Sequence, residues 1–202
     1  MKRNALFFLL GLLLPLWLAN PAQPCVGRCL TVAIANSQDQ LIMGHMLSVL
    51  INERTGTTVN VVELDDLTTC HETVLKGKAD IYIGYIGKGL ENSEGSSPAD
   101  DPQKVYTLVS QRYMEKFGMV WLKPFGFSGP LTEATSGGKA VGSLAAPIVT
   151  KDVLKKFPVL DRVINKLGGR VDNHALEELR KKTENQKVRE TVKTFLKAQK
   201  MI

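Results

Sequence analysis

The stretch Trp121–Asp152, WLKPFGFSGPLTEATSGGKAVGSLAAPIVTKD, decides how this chain is read. Each end is apolar and looks like a buried strand with its flanking turn. The middle is small, polar and glycine-rich. It is either an ordinary surface loop or the place where something larger is missing. Upstream, MVWLKPFGF (residues 119–127) reads as one strand, and downstream APIVT (146–150) reads as another.

Working outward, strands and helices alternate from Leu30. CLTVAIA (29–35) is β-branched and apolar, a buried strand. The following segment carries apolar residues at Leu41, Ile42, Met46, Leu47, Leu50 and Ile51, a helical stripe that ends at Gly56. Ser37 is its natural N-cap, with Gln40 three residues on as in a capping box. TTVNVVEL is a second strand, TTCHETVLKGK a short helix stopped at Gly77, and ADIYIGYI a third strand. ENSEGSSPADDPQ reads as a polar loop and KVYTLVSQRYMEKFG as an amphipathic helix. Helices are expected at Asp152–Phe157, Leu160–Leu167, Ala175–Lys182 and Lys187–Gln199. Strands separated by helices imply an α/β fold with a mostly parallel sheet flanked by helices.

Composition excludes several classes. Hydrophobic residues make up 44% and charged residues 23%, which describes a globular protein and not a disordered or fibrous one. The net charge of +6 is uneven: residues 151–202 hold 14 Lys and Arg against 7 Asp and Glu, leaving 12 against 13 elsewhere. Aromatic residues are nearly absent from that basic third, so it reads as the wet faces of amphipathic helices and not as a nucleic-acid surface. At the N-terminus, Lys2 and Arg3 precede an apolar run from Ala5 to Leu18 and then ANPAQPC. This is the pattern of a secretory signal peptide over residues 1–22, too short for a span of ~20 apolar residues. A periplasmic or extracellular location is expected, and an anchor at Cys25 is left open. Export permits a disulfide among Cys25, Cys29 and Cys70, whose pairing the spacing does not determine. Cys70 and His71 together with the other two cysteines do not form a known zinc pattern, and no metal or cofactor is expected.

No catalytic constellation stands out. SGGKA around Lys139 lacks the phosphate-loop spacing, and His45, His71 and His174 have no partner nucleophile in sequence, so a non-enzymatic role is expected.

The order of segments carries more than any one motif. LTVAIANSQDQLIMGHMLSVLINERTG, VLKGKADIYIGYIG, YMEKFGMVWLKPFGF, AAPIVTKDVLKKFPVLDRVINKLGGRVDNHALEEL and VRETVKTFLKAQKMI resemble, in family order, the glycine betaine, choline and carnitine binding proteins of ABC importers. The resemblance implies one lobe of a type II periplasmic-binding-protein-like fold over residues 23–202. In that family the chain leaves lobe one near the position of Phe127, builds a second lobe and returns near Ala145. A lobe needs ~100 residues, whereas fewer than twenty lie here. Residues 128–143 therefore read as a short linker in place of the second lobe.

The resemblance also implies a site. Ser37, Asp39 and Gln40, together with Asp66, Thr68 and Thr69, match ligand-facing loops, and Tyr85 matches an aromatic that holds a quaternary ammonium. Ser37 and one of Thr68 or Thr69 serve equally as helix caps, and Tyr82 and Tyr85 as cover for the sheet. Leu144 stands where the family has an aromatic. One lobe supplies half a cage and leaves a Tyr85 face open to water. The implied partners are glycine betaine, choline or carnitine, an ABC permease, and a second copy of the chain that completes the site; no nucleic acid is expected. The implied function is solute binding for import, weak or altered, and the alternative is a protein-interaction module derived from one lobe.

Overall fold

A computed structural model of the chain describes residues 29–93, 101–129, 144–184 and 187–202. The expected signal segment, Cys25 and residues 130–143 of the expected linker lie outside the described residues. Five strands form one sheet: β1 (Cys29–Ala35), β2 (Thr58–Leu64), β3 (Ile81–Tyr85), β4 (Met119–Trp121) and β5 (Ala145–Thr150). Their order is β2-β1-β3-β5-β4. β1 pairs in parallel with β2 and β3, while β5 runs antiparallel between β3 and β4. Four strands therefore point one way and one the other. The two crossing segments share the sheet with β1 and β3, as expected.

Side chains alternate across this sheet and build a core on each face. Leu30, Val32 and Ile34 of β1 face one layer, with Ile81 and Ile83 of β3 and Val149 of β5. α1 (Gln38–Thr55), α6 (Leu160–Ile164), α7 (Asn173–Thr183) and α8 (Val188–Ala198) cover that layer. Ala33, Tyr82 and Ile148 face the other, covered by α2 (Leu67–Leu75), α3 (Ile86–Asn92) and α4 (Pro102–Phe117). The remaining helix, α5 (Lys151–Lys156), follows β5 directly. Helix α1 lies very close to the sheet because Gly44 faces it: a Cβ there would stand 2.6 Å from Cγ2 of Ile34. That methyl sits on a β-branched side chain near the end of β1, whose χ1 is stiff.

Three expectations change. The strand expected over 119–127 ends at Trp121. Beyond it Pro124 has no N–H to give a ladder, and Gly126 adopts φ 123°, open to glycine alone. The segment is held instead by single backbone bonds, Leu122 N–H to Pro147 O and Phe125 N–H to Ala145 O, with Gly169 and Val171 donating back to Pro124 and Phe125. Helix α3 was not foreseen. Gly87 and Gly89 interrupt any apolar stripe, and Gly89 is there because Trp121 packs on it; a Cβ would meet the indole at 2.6 Å. The helix expected over 160–167 turns into a 3-10 turn at Asn165–Leu167 before Gly168.

The second core also absorbs Cys70 and His71, two of the residues considered for zinc. Cys70 is fully buried, and burial pushes its thiol up to about 12. His71 Nδ1 lies 2.9 Å from the Tyr82 hydroxyl, edge-on to Tyr113 and Phe117.

Two outcomes test this packing. Gly44→Val is expected to destabilise the fold by about 1–3 kcal/mol through overpacking, read as a lower urea midpoint at unchanged slope. Burial holds His71 below its ordinary 6.5, so the unfolded chain binds the proton more readily. Stability is complete above about pH 6.5 and falls as pH drops through that value. His71→Phe should flatten the fall of the urea midpoint between about pH 7.5 and pH 5; an unchanged profile contradicts the assignment.

Candidate ligand-binding site

β1, β2 and β3 end together at Ala35, Leu64 and Tyr85, and the loops beyond them surround an open cavity of about 450 Å3. Open α/β sheets place ligands at this end of their strands. Ser37, Asp39, Gln40, Asp66, Thr68 and Tyr85 all line it. Thr69 does not; its backbone N–H donates to Asp66 Oδ1 at 2.7 Å and starts α2. That bond and the neighbouring one from the Thr69 side chain hold Asp66 below the usual carboxylate range. Ser37 likewise caps α1, its hydroxyl accepting from Gln40 N–H at 3.3 Å. Capping and lining are thus compatible: two helices begin at the cavity, their positive dipole ends towards it.

Gln40 and Tyr85 form the floor. Gln40 is only 2% exposed, and its Nε2 donates to Ile83 O at 3.3 Å across the end of β3. Its Oε1 is buried without a hydrogen-bond partner. Tyr85 is 4% exposed, and its phenol is pushed up by burial while the adjacent Gln40 side chain opposes the shift.

One sequence expectation is corrected here. The Tyr85 face is not open to water, because the chain after Phe127 crosses it. A Cβ on Gly129 would stand 2.1 Å from the ring, so only glycine fits. Tyr85→Ala would therefore excavate packing, at about 3–5 kcal/mol, before it reported on a ligand. Asp39 is also engaged: Arg180 of α7 binds both its oxygens, at 2.6 and 2.8 Å, and Arg180 donates to Glu177 as well. Gln38 reinforces the junction by donating to Arg180 O and the Thr183 hydroxyl.

Asn36, Asp65 and Lys88 line the cavity but were not anticipated. Asn36 and Asp65 stood one position from named residues. Lys88 sits on α3, whose existence periodicity did not show, and it pairs with Glu91 at 2.8 Å. The exit and return of the chain meet at this end too. Ser128 bridges Leu144 antiparallel, and Ala145 N–H reaches Phe127 O. Ser128 N–H is held by Asn173 Oδ1 at 3.0 Å.

The Asp39–Arg180 fork ties α1 to α7 beside the cavity. Removing the guanidinium in Arg180→Leu leaves a half-buried carboxylate uncompensated, at about 1–2 kcal/mol. The double variant Asp39→Asn/Arg180→Leu should recover part of this loss in urea unfolding; strict additivity would show that the pair contributes nothing.

Comparison with known proteins agrees with this geometry. Residues 29–136, just over half of the chain, match the OpuAC family, described as the substrate binding domain of ABC-type glycine betaine transport systems. The carnitine transport binding protein OpuCC of Listeria monocytogenes is 26% identical over 187 residues, covering 87% of this chain and 56% of that protein. The chain thus spans about half the length of the curated relative it matches. A crystal structure of a glycine betaine/carnitine/choline ABC transporter protein superposes with a TM-score of 0.77 at 16% identity, covering 87% of this chain and 99% of the other. Apo YehZ from Escherichia coli gives 0.71 at 14% identity, with 86% and 99% covered. These two likenesses establish a shared fold, that of type II periplasmic binding proteins. A one-sheet α/β lobe with its cavity at the strand ends, matched over most of its described length, belongs to the OpuAC family of glycine betaine-type substrate-binding domains.

Proposed function

We propose that this chain is an exported, non-enzymatic solute-binding component of a glycine betaine-type ABC import system, working with a permease, in which residues 128–143 replace the second lobe. The observation that carries the reading is the cavity at the ends of β1–β3, where six of the seven candidate residues meet. The bridge between Ser128 and Leu144 supports the linker, since only fourteen residues separate Gly129 from Leu144. The named ligand of the Listeria relative, carnitine, supports a small quaternary ammonium solute. Among the described residues no helix is long and apolar enough to cross a membrane.

A family site closes two lobes around its solute, and one lobe leaves the ligand half in water. Hydrogen bonds from Ser37 and Gln40 compete with solvent, and one mostly buried ring adds little cation–π attraction. The sum stays near 4 kcal/mol, a dissociation constant of about 1 mM. A second reading, an interaction module that no longer carries solute, is favoured by the seal of Gly129 over Tyr85 and by the engagement of Asp39 with Arg180.

Titration calorimetry with glycine betaine, choline and carnitine, beside sedimentation velocity, separates these. Dissociation constants near or above about 1 mM in a monomer are expected. Tighter binding that appears only with dimer formation would mean that a second copy supplies the missing wall. Micromolar binding to a monomer would overturn the half-site account, and no binding to any solute tried would favour the interaction module.

A further inference from the structure

We propose that the end of the sheet opposite the cavity is a membrane-facing surface that rests reversibly on anionic phospholipid. β1, β3 and β4 begin at this end and β5 finishes there, at Cys29, Ile81, Met119 and Thr150. The ends of α2 and α4 and most of α5 surround a second open crevice of about 490 Å3. Val74, Leu75, Phe117 and Val153 give it an apolar wall. Leu75 is 48% exposed, one of the few large apolar side chains so open among the described residues. Lysines ring this wall. Lys151, Lys155 and Lys156 line the crevice, Lys76 and Lys78 flank Gly77 at its edge, and Lys116 lies over the Phe117 ring at 5.4 Å. Against them stand Glu72, Asp80 and Asp152. Asp80 is engaged, its Oδ2 accepting from Thr31 N–H at 2.7 Å. Glu72 pairs with Lys76 and Asp152 with Lys155, but all four side chains are more than half exposed, and pairs so open hold little.

Local structure explains only part of this cluster. Cations in the last turn of a helix complement its dipole, which accounts for Lys116, Lys155 and Lys156. Lys151 is the first residue of α5, where a cation is disfavoured, and Lys78 belongs to no helix. The partner is identified by charge and by the path of the chain. Clustered lysines attract the phosphates of a lipid surface, and an exposed leucine among them adds apolar contact between headgroups. The chain also enters the fold here: Cys29 lies two residues before Thr31, whose N–H reaches Asp80 in the crevice lining. The segment before Cys29 contains the apolar run Ala5–Leu18. Whatever hold that run has on a membrane passes first to this end of the sheet. The cavity lies at the other end of the same strands, so a chain resting this way keeps it open to solvent. Delivery to a permease requires release, which salt-screened attraction between a few lysines and a surface allows.

The test sediments the full chain with vesicles of phosphatidylcholine alone and of equal parts phosphatidylcholine and phosphatidylglycerol, at low and at physiological salt. Binding to the mixed vesicles is expected to be at least about tenfold tighter and to weaken as salt rises. Lys151→Gln/Lys155→Gln/Lys156→Gln removes three lysines, each worth about fivefold at an anionic surface, and should abolish most of the preference. Lys181→Gln/Lys182→Gln/Lys187→Gln makes the same change in net charge at the end of α7 and the start of α8, and should stay close to the unaltered chain. Both triples keep the segment before Cys29, so the difference between them reads the face alone. An equal loss in both, or equal binding to the two lipids, overturns the proposal. Release by inorganic phosphate beyond that caused by chloride at the same ionic strength also overturns it, and would make the crevice a site for a free anion. Thermal unfolding confirms that each variant folds; should the first triple not fold, Lys78→Gln/Lys156→Gln carries the same expectation at smaller size. Calorimetry with glycine betaine reads the cavity separately, so failure here leaves the solute-binding reading standing.

Discussion

β5 runs antiparallel between β3 and β4, and its pairing on both sides holds the whole functional end of the molecule in register. Tyr85 stands opposite Ala145, and Ile86 N–H reaches Leu144 O, so the last residues of β3 and the first of β5 are locked together. The same start of β5 accepts from Phe125 and donates to Phe127, which brings the departing chain alongside. Exit, return and cavity therefore share one end of the sheet.

From this constraint follow the properties of the site. Chain that crosses β3 so closely must pass over Tyr85, and only glycine at 129 allows it. The Tyr85 ring is thereby converted into core. Polar groups are treated differently. α1 and α2 begin at the cavity, and their caps leave Ser37 and Asp66 on its wall while Arg180 takes the charge of Asp39. Gln40 pairs one end of its amide with β3, and its oxygen is buried without a hydrogen-bond partner.

Much of the fold was legible because its signals are local. Ser37 caps α1 as read, and Gly56 and Gly118 close α1 and α4 in left-handed conformation, whereas the cap of α2 is Asp66 and not Thr68 or Thr69. Buried strands read as apolar runs and α1 as a periodic stripe. What escaped was held by contacts distant in sequence. Helix α3 has no side-chain cap and two glycines, and it exists because Trp121 lies over it. Residues 122–127 look like a continued strand, but their hydrogen bonds go out singly to Ala145, Pro147 and the Gly169–Val171 turn.

The candidate site divides along the same line. Sequence by itself determined which loops end the parallel strands and which polar residues those loops carry, because caps and strand ends depend on neighbours within a few positions. It also determined that too few residues lie between Phe127 and Ala145 for another core. Only the tertiary structure decided which of those residues remain available. Asp39 and Arg180 are 141 positions apart, and nothing in either local sequence indicates that they form a fork. Tyr85 and Gly129 are separated by helices α3 and α4 and strand β4, yet their contact decides how much of the ring stays exposed. Availability of a side chain is a property of packing, and packing is fixed by pairs that the chain brings together only when it folds.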